Sequence, residues 1–259
     1  MQLWGLDIPI AVLCWSIACA ALLQITMITA GPMLLVTAGV WLGLMYSRLR
    51  SARNQEIAWQ ARFYREHLAI IASLMLAVAL AVAWVLCFHV GISLVSYLVL
   101  PMLLFFLSQF FSAARYTQIR LLLQGLALGT ACATPAFYYS FTLSLIHMAT
   151  TGPVWYLGIL FYLLLGERHR LATGQAGTGG VVVNTLILLA LLTVSLVSSA
   201  TAPPFERTLC ITISIGAGCL QGFLRMSAHT STQNALRFSW LSLALPALLG
   251  IYLYAPHSW

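Results

Sequence analysis

Carboxylates are scarce in this sequence: Asp7, Glu56, Glu66, Glu167 and Glu206 are the only acids, against twelve basic residues that are all arginine. Proton transfer and the binding of hard cations both lean on carboxylates, so the chemistry open to the chain is confined to a few positions. Glu56 and Glu167 are candidates for the general acid or base of a metal-free reaction such as cyclisation or protonation. A salt bridge is the competing reading, because each has an arginine within a helical turn. Arg48, Arg50, Arg53, Arg62 and Arg65 crowd one stretch, and Arg168 stands beside Glu167. Guanidinium groups are always charged and grip oxyanions with two parallel hydrogen bonds, so these six could hold an anionic or lipid head group. Setting topology and touching lipid phosphates is the alternative role.

Other reactive side chains offer less. The six cysteines (Cys14, Cys19, Cys87, Cys132, Cys210 and Cys219) lie in apolar runs without C-x-x-C spacing and read as small buried hydrophobes. No apolar run carries a histidine near its centre, so neither haem nor a structural metal is expected. Residues 171–180 are rich in glycine but lack the G-x-x-x-x-G-K pattern of a phosphate cradle, and are expected to form a flexible linker. Trp41, Tyr46 and Tyr97 could stack an isoprenoid or quinone ring, or serve as anchors in the lipid.

The elements that must position these residues follow from composition. With 61% hydrophobic residues, 7% charged residues and a mean hydropathy of +0.95, the chain has too little polar surface for a water-soluble fold. In lipid every backbone polar group must be satisfied internally, and long unbroken apolar runs select helices over a closed barrel. Runs near the length of about 20 residues that crosses a bilayer fall at 8–28, 32–47, 67–88, 91–112, 119–139, 152–166, 181–200, 206–225 and 236–254. The expectation is an all-α, multi-pass membrane protein of about nine spans. The second and sixth runs are short, and only Phe88-His89-Val90-Gly91 divides the third from the fourth, so eight or ten remain open. All 259 residues form one bundle with no separate soluble domain. Every arginine except Arg207 falls on one side of this arrangement. The net charge of +7 is therefore read as the positive-inside rule and not as a nucleic-acid surface. The N-terminus is then cytoplasmic, the C-terminus exterior, and the membrane a bacterial-type inner membrane.

Residues 40–68, with Tyr46, Arg48, Leu49 and the run Arg62-Phe63-Tyr64-Arg65-Glu66-His67, resemble the second and third spans of the UbiA superfamily of intramembrane prenyltransferases. Gly125 to Thr130 with Pro135 is similar to a later span of one branch, and Leu236-Arg237-Phe238 through Pro246 to its last helix. The resemblance implies a nine-span bundle with the N-terminus inside and an active mouth on the cytoplasmic face. It also implies Asp-rich motifs at the ends of spans two and six, which hold Mg²⁺ against the diphosphate of a prenyl donor.

Here the sequence departs from the family. The first motif's two positions are Ser47 and Ser51, and the second motif's region reads Gly166-Glu167-Arg168-His169-Arg170. Neutral hydroxyls do not offset the dehydration of Mg²⁺ as carboxylates do, so no metal is expected and metal-assisted ionisation of a diphosphate is hard to build. The expectation is a UbiA-like pseudoenzyme: a structural or isoprenoid-, quinone- or lipid-binding subunit of a membrane complex, with lipids and other integral membrane subunits as partners. A divergent prenyltransferase or metal-free cyclase is the alternative. A transporter fits less well, because the spans carry no ionisable residue near their centres.

Overall fold

The computed structural model describes residues 6–22, 30–53, 58–90, 93–111, 116–139, 145–173, 178–201, 204–227, 235 and 239–254. Among them the helices are α1 (Asp7–Leu22), α2 (Ala30–Arg53), α3 (Ala58–Glu66), α4 (Leu68–Val85), α5 (Ser93–Phe110), α6 (Thr117–Tyr139), α7 (Leu145–Thr150), α8 (Gly152–Thr173), α9 (Thr178–Thr201), α10 (Pro204–Ser227) and α11 (Leu241–Tyr254). No strand occurs among the described residues. Among the described residues, five segments are long and apolar enough to cross a membrane: Ala30–Arg50, Leu68–Phe88, Thr117–Tyr139, Val183–Thr201 and Glu206–Leu224. Asp7–Ala21, Leu94–Phe110 and Leu241–Tyr252 are shorter apolar helices. The protein is an all-α membrane protein.

Helix α1 is apolar on every side, the pattern of a helix enclosed by others. It sits centrally, with Ile8, Val12, Trp15 and Cys19 buried among residues of α6, α8, α10 and α11. Helices α4, α5 and α9 lie outside and bury one stripe each; α4 leaves Leu76, Leu80 and Trp84 exposed, as lipid-facing side chains are.

The tightest packing is between α6 and α8. A methyl group added at Gly125 would lie 2.5 Å from the Tyr162 nitrogen, and one at Gly129 would lie 2.6 Å from the Gly158 Cα. These glycines bring two backbones into direct contact, the use small residues find in lipid, where burying apolar surface gives no drive to associate. Gly216 is similarly pressed by Leu160 and Trp15, whereas Gly218 and Gly222 face open space. Helix α9 is held partly by hydroxyls: Ser195 and Ser214 share a hydrogen bond of 2.7 Å, and Ser198 meets the Tyr156 hydroxyl at 3.2 Å.

The helices overrun the apolar segments. α2 continues to Arg53 and α8 to Thr173, because arginine, leucine and alanine are good helix formers whatever their hydropathy. The expected linker at 171–180 shrinks accordingly: Leu171–Thr173 belong to α8, and Thr178, Gly179 and Gly180 to α9. Between the third and fourth runs, α4 ends in a π-helical turn at Leu86–Val90. Of the cysteines, Cys19, Cys132 and Cys210 are buried and Cys14 is half-buried, while Cys87 and Cys219 are exposed.

Candidate functional site

The start of α1 and the ends of α2 and α8 meet at one end of the bundle, and each brings charge. Asp7 opens α1, where a carboxylate also complements the helix dipole. It is 2% exposed and lies between two arginines. Arg168 pairs with its Oδ2, and Arg48 Nη2 approaches its Oδ1 at 3.6 Å. Arg168 Nη1 also donates to Ser239 Oγ at 2.7 Å, tying in the chain just ahead of α11. Tyr64 of α3, itself buried, is hydrogen-bonded with Arg48. One carboxylate thus gathers α1, α2, α3, α8 and the approach to α11.

Glu167, one residue before Arg168, has 0% exposure. Arg170 grips it from the next turn, Nε donating to Oε2 at 2.8 Å and Nη2 to Oε1 at 2.5 Å. The hydrogen bonds and the charge of Glu167 raise the Arg170 pKa above its ordinary value, with burial opposing. The salt bridge weighed against a catalytic role for Glu167 is therefore present.

The remaining sequence-derived positions are dispersed. Ser47 Oγ accepts from Gln124 Nε2 at 3.4 Å, linking α2 to α6. Ser51 and Arg53 lie in the last turn of α2, and Glu56 falls outside the described residues. Arg50 Nη1 donates to the Gln109 carbonyl at 3.2 Å, near the C-terminal end of α5 where carbonyls lack helical partners. Arg62 and Arg65 are exposed on α3. The three aromatic candidates do not converge: Trp41 is buried with Met45 and Ile71, Tyr46 is exposed, and Tyr97 stands edge-on to Tyr138 at 6.4 Å.

Sequence reasoning brought Arg48, Glu167 and Arg168 to the same end but passed over Asp7, Tyr64, Gln124 and Ser239. A signal for Asp7 was available, since it is the only aspartate in the chain and opens an otherwise apolar segment. Among the described residues, the two acids Asp7 and Glu167 face three guanidiniums, which leaves a residual positive charge on this set. Such an arrangement attracts oxyanions. Compared with known protein families, with curated proteins and with solved structures, the chain has no match.

Proposed function

We propose that this chain is a UbiA-like bundle that holds a lipid and serves as a structural or lipid-binding subunit of a membrane complex, without Mg²⁺-dependent prenyl transfer. In this reading the arginine-bearing end is cytoplasmic, the bundle has nine spans, and the bound molecule is an isoprenoid, a quinone or another lipid whose polar head is anionic.

One observation carries the reading: the acids where metal chemistry would be sought are already engaged by arginines. Glu167 is buried under a two-point grip from Arg170, and Asp7 lies between Arg48 and Arg168. Ser47, at a position the resemblance gives to a metal-binding aspartate, accepts a hydrogen bond from Gln124. This donor set does not fit a divalent cation. A cation placed among the three guanidiniums would be repelled, and the two carboxylates would have to give up charged partners in a medium of low dielectric to bind it.

The test is gentle purification from the native membrane, followed by identification of co-purifying polypeptides and lipids. Stoichiometric recovery of a partner subunit or of a defined lipid is expected. A protein isolated alone that turns over a prenyl diphosphate with Mg²⁺ would sink the proposal. So would a defined lipid product lost in Glu167→Gln, which would install the divergent-enzyme reading in its place.

A further inference from the structure

We draw no further inference here: the strongest candidate, the exposed face of α10 formed by Gly218, Cys219 and Gly222, is a stripe of small residues, and nothing in the structure shows whether lipid, a second copy of the chain or another subunit covers it.

Discussion

Replacing Asp7 by alanine should be among the most damaging single substitutions in the protein. The change removes the carboxylate that pairs with Arg168, whose side chain is 10% exposed, and with Arg48, whose side chain is 19% exposed. Breaking a buried ion pair by deleting one partner costs about 3–5 kcal/mol, mainly because a charge is left without compensation. Arg48 is the more solvated and stands at 3.6 Å, so its share is about 1 kcal/mol or less. Most of the loss comes from Arg168. Reversible unfolding of the detergent-solubilised protein, titrated with a denaturing detergent, gives the measurement. The double variant Asp7→Ala/Arg168→Met supplies the decisive comparison, since an apolar replacement of both partners is often neutral. Its stability should recover most of the deficit, with a coupling energy of about 2–3 kcal/mol. If the two single losses instead add to within about 0.5 kcal/mol, the cluster is not an energetic unit and the reasoning fails.

Three further outcomes are expected. Gly158→Ala, which would place a methyl 2.9 Å from the Leu126 Cα, should destabilise the bundle by about 1–3 kcal/mol through overpacking, while Gly218→Ala and Gly222→Ala, with open space around them, should cause no loss in the same unfolding assay. Arg170→Gln should cost about 1–3 kcal/mol by leaving the buried Glu167 carboxylate short of charged donors. Because the folded pKa of Arg170 is raised, its contribution is full at every pH below the ordinary arginine range and is lost only as the pH rises through the folded value. The difference between Arg170→Gln and wild type should therefore stay constant from about pH 7 to about pH 10, and a difference that fades across that range would contradict the assignment. Ser214→Ala should loosen α9 by about 0.6–1.7 kcal/mol, the scale of interhelical hydrogen bonds in membranes, read as faster amide exchange along that helix.

The sequence made the class of protein and the location of the charge legible because both are local properties. A run of leucine and alanine announces a membrane helix wherever it packs, and Glu167 with Arg170 one turn on is a pair that helix geometry alone brings together. The Asp7 cluster was not legible, since its members come from distant parts of the chain and only the folded bundle brings the start of α1 to Arg48 of α2 and Arg168 of α8. Helix ends were misplaced for a related reason. Hydropathy reports where lipid contact stops, and α2 and α8 continue as helices past that point into their arginines. The three aromatic residues grouped in sequence reasoning were separated by the fold because residue type says nothing about which side of a span faces a neighbour.

The central position of α1 has a consequence for the order in which the bundle assembles. This helix precedes all of its partners in the chain, and Arg168 follows Asp7 by roughly 160 residues, or about 8–30 s of synthesis at about 5–20 residues per second. During that interval α1 must wait in the membrane with a carboxylate at its tip and, among the described residues ahead of α8, Arg48 as its counter-ion. The finished core therefore closes around its earliest member, and any chain halted before α8 emerges leaves that member half-neutralised and unwrapped, a state that membrane quality control could distinguish from the completed protein.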